Sequence, residues 1–124
     1  MTAKLLESLG GTQQQRSAID ERRASARKVV TLRVQVQLPD QTVLNGQTVD
    51  LSHTGVGLFS PRLLQTDQDC RVTIPLSVCG EDLEIKLQAR VCYCLEQAKG
   101  KYRAGMRFIG IEPGAAKLLD QLLS

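Results

Sequence analysis

The sequence holds no tryptophan, two tyrosines, two phenylalanines and one histidine among 124 residues. Aromatics at 3% argue against a single-stranded nucleic-acid binder, whose bases need stacking platforms. The lone His53 and four dispersed cysteines offer no ligand set at the doubled C-x₂₋₄-C spacing of structural zinc. Nor is there a Ser/Cys–His arrangement with a third member, or a phosphate loop, so an enzyme is not expected. No apolar run approaches the ~20 residues that cross a bilayer, which excludes membrane insertion by a helix. No basic start leads into an apolar leader core, so the chain is expected in the cytoplasm with reduced thiols. What remains is ordinary for one globular domain: 42% hydrophobic and 23% charged residues.

The net charge of +3 is unevenly placed. Residues 1–33 carry seven Lys/Arg and three Asp/Glu, a net of +4, while residues 34–124 carry nine and ten, a net of −1. A compact basic cluster on a near-neutral body suits one anionic ligand at one place, not a nucleic-acid face. Residues 1–20, with Gly10-Gly11 and Gln13-Gln14-Gln15, read as a flexible tail before a domain over 21–124.

From Val30 the pattern turns to period two. Val30, Leu32, Val34, Val36 and Leu38 alternate with polar residues, the signature of a half-buried strand. Strands follow over Thr42–Leu51, with Asn45-Gly46 as a turn or bulge inside it, and over Gly55–Phe59. Cys70–Val78 is another, placed at an edge by Pro75. A long strand runs from Leu83 to Leu95 and a last one over Tyr102–Ile111. In the long strand Cys92 and Cys94 share a face as small core residues. Pro113 opens a helix with Ala115, Leu118, Leu119 and Leu122 on one face. Sequential strands with short turns pair antiparallel and close to remove their edges. The expected fold is mainly β: a small antiparallel six-stranded β-barrel with a C-terminal α-helix and a flexible N-terminal segment.

Two motifs carry the chemistry. One is Arg23-x-x-x-Arg27, preceded by Arg22; the other is Asp50-x-Ser52-x-x-Gly55. Arginine forks grip phosphate oxygens bidentately and pair with O6 and N7 of guanine. A carboxylate accepts from the N1–H and exocyclic amine on guanine's opposite edge, Ser52 adds a small donor/acceptor, and glycine admits close backbone approach. Together these describe a guanine nucleotide site. Taken singly, the arginines are a solvated face, Asp50-x-Ser52 an Asx or ST turn, and His53 a solvent-facing turn residue.

In these residues the chain resembles a PilZ domain, the bacterial receptor module for cyclic di-GMP. Arg22-Arg23 through Arg27 is similar to that family's R-x-x-x-R segment, and Asp50-x-Ser52-x-x-Gly55 to its [DN]-x-S-x-x-G segment. Tyr102–Phe108 is similar to its closing strand with G-x-x-F, so the resemblance covers about residue 20 to residue 124. It implies a receptor without a cofactor whose ligand is cyclic di-GMP. Arg23 and Arg27 would grip phosphates and guanine edges, with Arg22 adding a contact that bears on whether one ligand or a stacked pair binds. Asp50 and Ser52 would read a guanine from the barrel side, with Gly55 beneath it. Tyr93 is the best-placed aromatic to stack on a base. The family's proline before the last arginine is Ala26 here, which loosens that segment. The N-terminal segment would close over the ligand and change a surface read by a protein of motility, pilus or exopolysaccharide machinery. The alternative is a protein-interaction adaptor with a vestigial nucleotide site.

Overall fold

The computed structural model describes residues 27–124; the tail expected over residues 1–20, and Arg22 and Arg23, lie outside them. The elements are β1 (Lys28–Val29), β2 (Arg33–Gln37), β3 (Val43–Leu51), β4 (Gly55–Ser60), β5 (Asp69–Val78), β6 (Glu81–Ala98), β7 (Lys101–Ile111) and α1 (Pro113–Leu123). All strand pairs are antiparallel. They run β1-β3-β2-β5-β6-β7-β4, and β4 pairs back onto β3, so six strands form a closed ring with β1 added at the flank of β3.

The seventh strand arises where the Val30–Leu38 stretch, expected as one strand, is interrupted. β1 pairs with Leu51 and Asp50 of β3, while β2 pairs with Val43 to Gln47. Between them Thr48 turns a buried hydroxyl into the gap. That hydroxyl accepts from the Leu32 N–H at 2.8 Å and donates to the Val30 carbonyl. One side chain thereby satisfies the two backbone groups that the break would strand. Asn45-Gly46 makes no turn: both residues lie in straight β3, paired with Gln35 and Val34. Pro75 falls past Thr73, the last β5 residue paired to β2, so β5 is interior there but has an open flank where the proline sits.

Inward positions fill the barrel: Val34 and Val36, Leu44 and Leu51, Val56 and Leu58, Val72 and Ile74, Ile85 to Val91 at period two, then Ala104 and Met106. The helix begins at Pro113, as the sequence predicts, and presses Ala115 and Leu119 into this core beside β6. Burying Leu119 alone contributes about 2 kcal/mol. Two polar contacts fix the far end of α1. Lys28 Nζ donates to the Leu122 carbonyl at 3.2 Å, a cation at the negative end of the helix. His53 Nε2 lies 2.6 Å from Asp120 Oδ1. No helix among the described residues is long and apolar enough to cross a membrane.

Candidate functional site

Strict period two would bury Asp50. Leu44, Gly46 and Thr48 face inward along β3, and the next position in that series is Asp50. A β-bulge intervenes: Thr48 stands opposite Leu58 but Asp50 stands opposite Gly57, so Val49 is the extra residue. An extra residue shifts every following side chain to the other face. Leu51 therefore enters the core and Asp50 turns to the outer wall.

The same device recurs on β6. Val91 stands opposite Met106 and Tyr93 opposite Gly105, which makes Cys92 the extra residue. Tyr93, in line with Val91 by period two, is instead 43% exposed on the outer wall. The expectation that Cys92 and Cys94 share the core fails for this reason. Cys92 is exposed, and Cys94 is half-buried with its sulfur accepting the Leu64 N–H at 3.3 Å.

These two bulges flank a pair of glycines. One row crosses four adjacent strands: Asp50 on β3, Gly57 on β4, Gly105 on β7, Tyr93 on β6. The end residues fold in over the middle. A Cβ at Gly57 would stand 2.5 Å from Asp50 Oδ1, and one at Gly105 would stand 2.7 Å from Tyr93 Cζ. The two glycines thus give the Asp50 carboxylate and the Tyr93 ring room to lie down against the sheet, and the row presents a carboxylate and an aromatic ring side by side. Over it lies a cavity of about 440 Å³, lined by Arg27, Asp50, Thr54, Gly55, Cys92, Tyr93, Gly105, Met106 and Arg107.

Of the residues singled out from sequence, the structure brings Arg27, Asp50, Gly55 and Tyr93 to this cavity. Arg27 enters from the chain just before β1, and its NH2 lies 3.0 Å from Asp50 Oδ1. No N–H is aligned on that oxygen, so the contact is an ion pair without a hydrogen bond. On the other side Arg103 NH2 lies 3.8 Å from Asp50 Oδ2. Ser52 is fully buried. Its hydroxyl accepts the Thr54 and Gly55 N–H groups at 3.2 and 3.1 Å, while its own N–H donates to the Gly55 carbonyl at 2.9 Å. Ser52 thus closes the turn that carries Thr54 and Gly55 to the cavity edge. His53 in the same turn faces Asp120 and is absent from the lining. Arg22 and Arg23 lie outside the described residues.

The sequence reading gave no site role to Arg107, which lines the cavity, or to Arg103, which reaches Asp50 from outside it. The signal for both is cross-strand: Arg107 pairs with Gly55, and Arg103 with Phe59 beside Gly57. A larger cavity of about 690 Å³ opens elsewhere beside Arg33, Gln47, Phe59 and Lys101, and none of the sequence-predicted site residues lines it.

Chemically, the smaller cavity offers arginine forks for an anion, a carboxylate for paired N–H donors, and an aromatic ring on which a planar group can stack. Its volume is in the range of small-molecule sites.

Comparison with known proteins gives this architecture relatives. The E. coli YcgR PilZ domain with c-di-GMP superposes with a TM-score of 0.65 at 19% identity, covering 82% of this chain and 88% of that one. The PilZ domain of CeSA from a cellulose-synthesizing bacterium gives 0.54 at 25% identity, over 79% of this chain and 94% of the other. The Bacillus subtilis inhibitor of motility MotI/DgrA gives 0.67 at 19% identity over 79% of this chain, which spans 47% of that longer protein. No curated protein matches the sequence. At these identities the superpositions speak to the fold; the sequence itself matches the family profile of the PilZ domain over residues 21–124, and the chain therefore belongs to the PilZ domain family.

Proposed function

We propose that this chain is a cytoplasmic cyclic di-GMP receptor that acts by binding, with no catalytic step. The observation that carries the reading is the row Asp50–Gly57–Gly105–Tyr93 beneath Arg27 and Arg107. A guanine fits such a row: its flat ring stacks on Tyr93, its N1–H and amine meet Asp50, and its O6/N7 edge and phosphates meet arginines. Family membership supports this reading, as do solved structures of YcgR with c-di-GMP. Arg23 and Arg27 close the N-terminal segment over the ligand, with Arg22 beside them. The ordering entropy is offset by charge-assisted bonds. The altered surface is then read by a protein partner. Similarity to an inhibitor of motility and to a cellulose-synthesis PilZ domain points to motility or exopolysaccharide machinery.

The test is calorimetric titration with cyclic di-GMP, cyclic di-AMP and GTP. Wild-type protein should bind cyclic di-GMP alone, and Asp50→Ala, Arg23→Ala and Arg27→Ala should each weaken binding by tenfold or more, about what one charge-assisted hydrogen bond supplies. Circular dichroism should show the fold unchanged. A folded wild-type protein that ignores cyclic di-GMP would overturn the reading in favour of the adaptor.

A further inference from the structure

Asp50 is gripped from two sides by arginines of different standing. Arg27 belongs to the segment leading into β1, lines the cavity, and on the reading above is a ligand-gripping group. Arg103 belongs to the barrel wall and does not line the cavity. On β7 it stands one outward position before Gly105, opposite Phe59 on β4. To reach Asp50 on β3 its side chain must cross β4, and it does so at Gly57. Its NH2 is 3.5 Å from where a Cβ on that glycine would sit and 3.8 Å from Asp50 Oδ2. The Arg103 side chain is 30% exposed along the crossing. The guanidinium centre is 6.0 Å from the Phe59 ring centroid, Lys101 Nζ covers the same ring at 4.2 Å, and Arg103 Nε is buried without a hydrogen-bond partner. A donor left unpaired in this way is costly. The approach to Asp50, beside the Phe59 ring, points the fork across the sheet.

On the reading above Arg27 also serves the ligand, and a carboxylate held by it alone would follow it. When Arg27 engages phosphate, its hold on Oδ1 is shared, and a second hold on Oδ2 from a rigid strand keeps the carboxylate aimed. We propose that Arg103 is a positioning residue. From β7, across Gly57, it fixes the Asp50 carboxylate in the orientation that accepts a base's paired N–H groups, and so sets base selectivity without touching the ligand. The selectivity part rests on the nucleotide reading; the positioning part does not.

The experiment has two arms. In the first, calorimetry compares cyclic di-GMP with cyclic di-IMP, which lacks the exocyclic amine, on wild type, Arg103→Met and Arg103→Lys. Arg103→Met should lose about tenfold for cyclic di-GMP and under about twofold for cyclic di-IMP, because only the first uses the aimed carboxylate fully. Arg103→Lys should recover part of the difference. Equal losses for both ligands would mean a merely structural role and overturn the assignment. In the second arm, Hβ couplings of Asp50 are measured by NMR without ligand. Wild type should show one χ1 rotamer and Arg103→Met an average. Unchanged couplings in a folded Arg103→Met overturn the positioning role even if the protein binds no nucleotide, and Arg103→Lys supplies the same comparison should the methionine variant not fold. Absence of wild-type nucleotide binding with the couplings altered overturns the nucleotide reading and leaves the positioning intact.

Discussion

Asp50 and Tyr93 stand at opposite ends of one cross-strand row and fold toward each other over Gly57 and Gly105. Neither glycine has a positive φ, so alanine fits the backbone at both, and the outcome depends on what the new methyl meets. At Gly57 it meets the end of the Asp50 side chain, which can swing away by giving up its arginine contacts, and at Gly105 the half-exposed ring of Tyr93, which can turn outward. Gly57→Ala and Gly105→Ala should each cost under about 1 kcal/mol of stability while weakening cyclic di-GMP binding by tenfold or more. Gly55 differs, because a methyl there runs into the Met106 carbonyl oxygen, which is backbone and cannot step aside. Gly55→Ala should cost about 1–3 kcal/mol, the usual penalty of overpacking. Thermal melts and calorimetry on the three variants check the contrast. Equal melting losses in all three would contradict it.

Thr48 joins β1 to β2. Its buried hydroxyl satisfies the Leu32 N–H and Val30 C=O at a half-buried break in the sheet. Thr48→Val keeps the shape and removes the bonds, leaving two backbone groups unpaired at a cost of about 1–3 kcal/mol. Because β1 follows Arg27 directly, loosening it should also weaken ligand binding, more than distance from the cavity suggests. Urea denaturation measures the first effect and titration the second. An unchanged midpoint would show that the hydroxyl bridge contributes nothing.

The cysteines should separate by reactivity. Burial, aided by the neighbouring Asp69 carboxylate, pushes the Cys70 thiol up to about 11, so at pH 8 it holds its proton and is a poor nucleophile. Cys79 and Cys92 are exposed. Mass spectrometry after brief maleimide treatment should find these two modified first, with Cys70 modified only on unfolding. Cys92 lines the cavity, so its adduct should also obstruct cyclic di-GMP, and Cys92→Ser should restore binding to the treated protein. Rapid labelling of Cys70 in the native state would contradict the core described here.

Most of the strands, the terminal helix and the two motif segments are legible in local sequence; the break between β1 and β2 is not. Alternation from Val34 to Val36, from Val72 to Ile74 and from Ile85 to Val91 is a local property, since a strand's two faces are written in neighbouring residues. Pro113 and the leucine spacing mark the helix in the same local way. Arg27, Asp50 and Gly55 are legible as donors, acceptor and clearance before any fold is known. Where the alternation breaks depends on the pairing of distant strands. Bulges at Val49 and Cys92 follow from how β3 and β6 register on β4 and β7, and pairing between distant segments is not encoded in either strand alone. Those two extra residues turn Asp50 and Tyr93 from the core to the outer wall. The same register brings Gly57 beside Gly105 and lets Arg103 reach Asp50 across a position with no side chain. The motifs name the chemistry, and the register of the closed sheet lays the carboxylate and the ring side by side on its outer wall.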